Sequence, residues 1–220
     1  MSISLNIENI SKQLPDGVKL IAVSKTHPVE TILEAYNAGQ KVFGENRVQE
    51  LVAKYEALPK DIEWHLIGHL QSNKVKFIAP FVSLIHSVDS LALLKEINKY
   101  AAQSNRVLDC LLQVFIAKEE TKFGLDEDEL YGICNSHHVA EMKNIRVRGL
   151  MGMATNTNNE TVVRSEFRYL KNLFGRVKLK FFAEQQFFSE ISMGMTSDWK
   201  IAVEEGSTMV RIGSAIFGQR

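Results

Sequence analysis

The feature that most constrains this chain is a rhythm of short apolar and β-branched runs recurring from end to end. They read KLIAVS, KVFGEN, EWHLIG, SLIHSV, DCLLQVFI, VRGLMGMA, SEISMGM and TMVRIGS, which makes eight predicted strands. Segments with helical signals lie between them. In HPVETILEAYNAG, Pro28 suits the first helical position, Ile32, Leu33 and Tyr36 share a face, and Gly39 can cap the end, so a helix is predicted over Pro28 to Ala38. In DSLALLKEINKYAAQS, Asp89 or Ser90 can act as N-cap while Leu91, Leu94, Ile97 and Ala101 form one stripe. Strands apolar on both faces, each followed by a helix, call for a parallel sheet covered by helices, because parallel neighbours need crossover connections. Eight such units predict a (β/α)8 TIM barrel, and 220 residues leave little room beyond a single domain spanning 1–220. The rival is an open doubly wound sheet, but the first strand-to-helix turn, SKTHPVE, carries no glycine-rich dinucleotide fingerprint. The stretch FGRVKLKFFAEQQFFSE is the least legible and leaves the start of the seventh strand open.

Charge and cysteine usage exclude several classes. The formal net charge is zero, with Lys and Arg scattered among Asp and Glu, so no basic face suggests nucleic-acid binding. Cys110 in an apolar run and Cys134 in a predicted helix argue against a disulfide framework and suit a reducing cytosol. The N-terminal residues lack a basic segment followed by an apolar core, and no run is long enough to span a bilayer, so a cytoplasmic protein is expected. The run KEETK followed by DEDE reads as a loop and an acidic first helical turn.

In a parallel α/β barrel the reacting groups stand at the C-terminal ends of the strands. The first strand delivers Ser24 and Lys25 there, the second Gly44, Glu45 and Asn46, the third His65 and Gly68, and the sixth Met151 and Met153. The last two deliver Ser192 and then Arg211, Gly213 and Ser214. Lys25 leaves a buried strand, and a desolvated amine is held neutral and can attack an aldehyde to form an imine; the plainer reading is a solvated loop lysine. Gly213 and Ser214 can present backbone N–H groups to a phosphate, with Ser192 adding a hydroxyl; the plainer reading is tight packing and a turn. Arg211, between apolar neighbours, reads as inward-facing with a fixed partner, or as a structural ion pair. His65 and His69 are four apart but straddle a strand end, which argues against a zinc pair, and His137 and His138 read as solvated. Met151, Met153, Met193 and Met195 read as core or pocket lining.

AVSKT, GENRVQE, WHLIGHLQSNK, HSVDS, ETKFGL, RGLMGMA, SMGMTSDW and VRIGSAIFG, in this order, closely resemble the YggS/PROSC family of pyridoxal phosphate homeostasis proteins over nearly the whole chain. The resemblance implies a barrel like the N-terminal domain of alanine racemases, with pyridoxal 5′-phosphate held as a Schiff base on Lys25. It also implies Ser192, Gly213 and Ser214 on the cofactor phosphate, Arg211 facing the pyridine nitrogen and Asn46 near the ring. An arginine there disfavours protonation of that nitrogen and leaves the ring a weaker electron sink.

Three functions are compatible with these residues. A non-catalytic carrier or regulator in vitamin B6 homeostasis would bind the cofactor reversibly on Lys25 and pass it to apo-enzymes. A racemase-like enzyme would need a second acid or base on the opposite ring face; in related racemases a further C-terminal domain supplies it, and the sequence stops at Arg220, which favours the carrier. A barrel enzyme acting on another phosphorylated metabolite, with Lys25 as a clamp, is the third. The expectation is a monomeric carrier without nucleic-acid or membrane partners.

Overall fold

Residues 2–117 and 123–218 are described in the computed structural model. Each apolar run becomes a strand: β1 (Lys19–Val23), β2 (Val42–Glu45), β3 (Glu63–Leu66), β4 (Leu84–Val88), β5 (Leu108–Val114), β6 (Ile145–Gly152), β7 (Glu190–Met195) and β8 (Met209–Ile212). All neighbours pair in parallel, and β8 closes onto β1, so the sheet is a closed barrel in sequence order. The helices are α1 (Ile3–Ser11), α2 (Val29–Asn37), α3 (Val48–Ala57), α4 (Val75–Ile78), α5 (Leu91–Gln103), α6 (Glu127–Cys134), α7 (His137–Glu141), α8 (Glu160–Phe181), α9 (Trp199–Glu204) and α10 (Ser214–Phe217). The charge run KEETK lies wholly outside the described residues, as do Glu120, Thr121 and Lys122 of the motif ETKFGL.

Local chemistry sets the helix ends. Ser90 caps α5 by accepting from the Leu93 N–H, so the choice between Asp89 and Ser90 falls on the serine. Asp126 and Glu129 form a reciprocal capping box at α6, and the acidic run fills its first turn. Pro28 sits one residue earlier than expected, as the N-cap of α2. Gly39, at φ +98, follows the C-cap in the left-handed region that favours glycine.

The stretch that resisted reading begins with the last two turns of the long helix α8. Asn159 caps it, and Val163, Phe167, Leu170, Phe174 and Val177 form its buried stripe. Sequence periodicity is obscured there by Gly175 and by the basic residues of the outer face. After the helix ends, the chain turns so that Phe188 is fully buried, its ring 4.9 Å from that of Phe174 and 4.3 Å from that of Phe182. That aromatic stack fixes the entry to β7 at Glu190.

Strand alternation sorts side chains between two compartments. Leu20, Ala22, Phe43, Trp64, Leu66, Leu112, Leu150, Val210 and Ile212 belong to the large core between sheet and helices. Ile21, Leu84, Leu111, Met151 and Met209 form a separate cluster inside the barrel. The inward residues of successive strands thus build a floor beneath the C-terminal mouth.

Candidate functional site

Following the inward parity of β1 past its end leads from Ile21 through Val23 to Lys25, and in β2 from Gly44 to Asn46. Both residues line a pocket of about 660 Å³ at the C-terminal mouth. Ile67, Met153, Arg211, Gly213, Ser214, Thr196 and Ser197 complete much of its wall. A volume of that size suits a small organic ligand.

The outward residues of the same strand ends form a second layer directly behind. Ser24 and Glu45 face α3, where Lys54 is buried. Lys54 Nζ donates to Ser24 O at 2.8 Å, Glu45 Oε1 at 2.7 Å and Glu50 Oε1 at 2.7 Å. Ser24 Oγ donates to Glu45 Oε1 at 2.6 Å, and Glu50 Oε1 accepts from the Thr26 N–H. Thr26 has φ +67, a left-handed conformation that costs a β-branched residue free energy. The peptide units on both sides of Lys25 are therefore clamped by charged groups. Burial pushes the Glu45 carboxyl above its usual range despite the Lys54 and Ser24 hydrogen bonds. Burial also acts on Glu50, but its hydrogen bonds from Lys54 and Thr26 prevail and hold it below the usual range.

Asn46 is held from the far side by close backbone contact. A Cβ on Gly68 would lie 2.4 Å from Asn46 O, so only glycine lets β3's exit pass this close. At the opposite wall the Gly213 N–H donates to Thr196 Oγ1 at 3.3 Å. Backbone donors and the hydroxyls of Thr196, Ser197 and Ser214 gather at that end of the pocket.

Arg211 is 4% exposed, and its Nη2 donates to Gly152 O at 3.1 Å. Among the described residues it makes no ion pair, which answers the structural-salt-bridge reading. Burial lowers its pKa to about 10, with Asp198 opposing, so the guanidinium stays charged at neutral pH. Its Nη1 donates to Ser192 Oγ.

That last contact corrects the placement of Ser192. The residue is fully buried, does not line the pocket, and has its hydroxyl shared between Arg211 and His86. Thr196, just beyond the irregular end of β7, lines the pocket with its hydroxyl-bearing side chain. His65 lies in the barrel interior, while His69 Nδ1 is 3.3 Å from Asp89 and its ring stacks on Phe123. Among the described residues no three metal-ligating side chains cluster. Met153 and Met195 line the pocket, whereas Met151 and Met193 are core.

The model of one protein family, described as alanine racemase, N-terminal domain, matches residues 2–220. Pyridoxal phosphate homeostasis proteins of Aquifex aeolicus (strain VF5) and Escherichia coli (strain K12) are 44% and 37% identical to the chain, covering 92% and 94% of it and 87% of each relative. The chain belongs to the pyridoxal phosphate homeostasis protein family. Among solved structures, PipY of Synechococcus elongatus PCC7942 with PLP bound is 38% identical and superposes with a TM-score of 0.90 over 99% of this chain and 100% of that one. Alanine racemase from E. faecalis, 18% identical with a TM-score of 0.72, shares the barrel over 58% of its own length.

Within this homeostasis-family barrel, sequence reasoning missed His27, Thr196 and Ser197 at the pocket and His86 beneath it. Thr196 was not reachable by counting in twos from Ser192, because β7 shifts register between Ser192 and Met195 and Gly194 has φ +95. His27, whose ring lies 4.7 Å from that of Phe217, had no signal either. No helix among the described residues is long and apolar enough to cross a membrane.

Proposed function

We propose that this chain binds pyridoxal 5′-phosphate at the C-terminal mouth through Lys25 and serves vitamin B6 homeostasis as a carrier, its residues acting as a single cofactor-binding unit. The observation that carries the reading is one pocket joining a clamped lysine, a buried arginine that makes no ion pair among the described residues, and a hydroxyl-rich end. That donor set fits the group. When bound, the cofactor supplies an aldehyde that condenses with a primary amine. Lys25 offers the amine, Arg211 a charged donor to the ring nitrogen, and Asn46 a polar contact near the ring. Gly213, Ser214, Thr196 and Ser197 offer N–H and O–H donors to the phosphate. A permanently protonated guanidinium disfavours a second proton on the ring nitrogen, which suits holding the cofactor more than carbanion chemistry.

Delivery to apo-enzymes by exchange of the Lys25 amine for an incoming amine follows from the same chemistry, and we place the protein in the cytoplasm as a monomer. Racemase-like turnover is the rival, because His27 also lines the pocket and an imidazole is a common acid–base group. The test is the visible spectrum of the purified protein with added cofactor, then borohydride reduction and peptide mapping. An adduct on Lys25 that disappears in a folded Lys25→Ala variant supports the reading; a colourless protein that takes up no cofactor overturns it. Formation of D-alanine from L-alanine at a steady rate would replace carrier by enzyme.

A further inference from the structure

Inside the barrel, among Ile21, Leu84, Leu111, Met151 and Met209, stand two histidines and a serine. His65 is 2% exposed, and His86 and Ser192 are fully buried. Such groups are costly to bury unless hydrogen-bonded, and here they bond in one line. Arg211 Nη1 donates to Ser192 Oγ; His86 Nδ1 lies 2.9 Å from that oxygen, and His86 Nε2 lies 3.0 Å from His65 Nδ1. One end of the line is Arg211 in the ligand pocket. The other is a polar pocket of about 120 Å³ that His65 lines with Lys19, Glu63, Asp109, Arg148 and Glu190. Lys19, Glu63 and Glu190 begin β1, β3 and β7, so this second pocket is the opposite, N-terminal mouth.

Donor and acceptor counting gives the line a direction. Arginine can only donate, so Ser192 Oγ accepts from it. Among the described residues that hydroxyl has one other partner, His86 Nδ1. Its hydrogen is satisfied only if Nδ1 is bare; the reverse arrangement strands a buried O–H without an acceptor. His86 then carries its proton on Nε2 and donates to His65 Nδ1, which is bare in turn. The His65 proton sits on Nε2, toward a pocket whose lining includes three carboxylates. Burial supports this by holding His65 down to about 3 and His86 well below its usual range, so both rings stay neutral. Hydrogen bonds that all point one way polarise one another, and a serine donating onward accepts more strongly from Arg211.

We propose that His86 and His65 are positioning residues for Arg211, forming a one-way hydrogen-bond relay through the barrel core that ties the N-terminal mouth to the arginine of the cofactor site. The role in cofactor binding rests on the reading above, that Arg211 meets the ring nitrogen; the direction of the relay does not.

The test begins with histidine-labelled full-length protein and nitrogen-15 NMR at neutral pH, without cofactor. Both rings are expected neutral with the proton on Nε2; an Nδ1-protonated or charged ring at either position overturns the relay. Pyridoxal 5′-phosphate is then titrated into wild type, His86→Leu and His86→Gln, following the visible band and Kd. The leucine variant is expected to keep its adduct on Lys25 while its band shifts and Kd rises by up to about tenfold, the upper end for one lost hydrogen bond between neutral groups. Ser192 then has no acceptor for its hydrogen and holds Arg211 less well. Glutamine, whose amide can accept from Ser192 and donate to His65, is expected to recover most of both. A folded leucine variant with unchanged band and Kd overturns the positioning role. If that variant fails to fold, His65→Leu, which cuts only the last link, is judged on the same two readouts. Wild type that binds no cofactor sinks the cofactor reading itself, and the tautomers then decide the relay alone.

Discussion

Replacing Glu50 by alanine tests whether the layer behind the pocket prepares Lys25. Glu50 Oε1 holds the Thr26 N–H and touches Lys54, and its side chain is 24% exposed, so its removal leaves no large cavity. A hydrogen bond to a charged group contributes about 1.5–3 kcal/mol, while a left-handed threonine costs roughly 1–2 kcal/mol. The two nearly balance, so without Glu50 the turn at Thr26 relaxes and Lys25 loses its fixed exit. At about 1.4 kcal/mol per decade, covalent attachment of pyridoxal to Lys25 should slow by about tenfold. Pyridoxal without its phosphate is the useful probe, because it isolates the lysine from the phosphate-binding end. Adding Thr26→Gly should restore most of the rate, since glycine adopts the turn without the clamp. The assay is stopped-flow growth of the visible band, with thermal melts in parallel. If the Glu50→Ala rate stays within about twofold of wild type while Tm falls, or if Thr26→Gly rescues nothing, the clamp serves stability alone.

Three further outcomes follow from the geometry. Because burial keeps His65 and His86 neutral in the fold, the unfolded chain takes up protons there that the native chain refuses; stability is full above about pH 6.5 and declines as pH falls toward about 3, by up to ~1.4 kcal/mol per pH unit for each ring. Melts across that range should show the decline, and His86→Leu should flatten roughly half of it; equal slopes would contradict the buried-neutral assignment. A Cβ on Gly149 would sit 1.8 Å from Glu190 O, so Gly149→Ala should break the pairing of β6 with β7 and leave little folded protein by circular dichroism. Gly68→Ala should instead leave a folded barrel with Asn46 displaced, read as weaker cofactor uptake with Tm lowered by only a few degrees.

The barrel was legible because each strand is apolar on both faces and each intervening segment announces a helix. The site was legible in part because parity assigns a face: Lys25, Asn46, Arg211, Gly213 and Ser214 all reach the pocket. Parity does not assign depth. Ser192 points inward but lies deep in β7, below its irregular end, where it meets Arg211 and His86 and does not reach the pocket. The clamp was invisible because Glu45 and Lys54 belong to a strand and a helix whose meeting only the fold establishes. His86 was overlooked for the opposite reason, since a histidine in SLIHSV reads as one more residue of an apolar run.

Ser24 and Lys25 are adjacent in sequence yet stand on opposite sides of the barrel wall, the Ser24 hydroxyl on Glu45 behind it and Lys25 in the pocket. Function here is therefore written in odd and even positions. Conservative exchanges within β1 leave that frame intact, but deleting one residue from the strand would turn the amine toward Lys54 and give the pocket a serine. In a barrel built this way, the count of residues from strand start to lysine sets which group enters the pocket, whatever the strand's apolar composition.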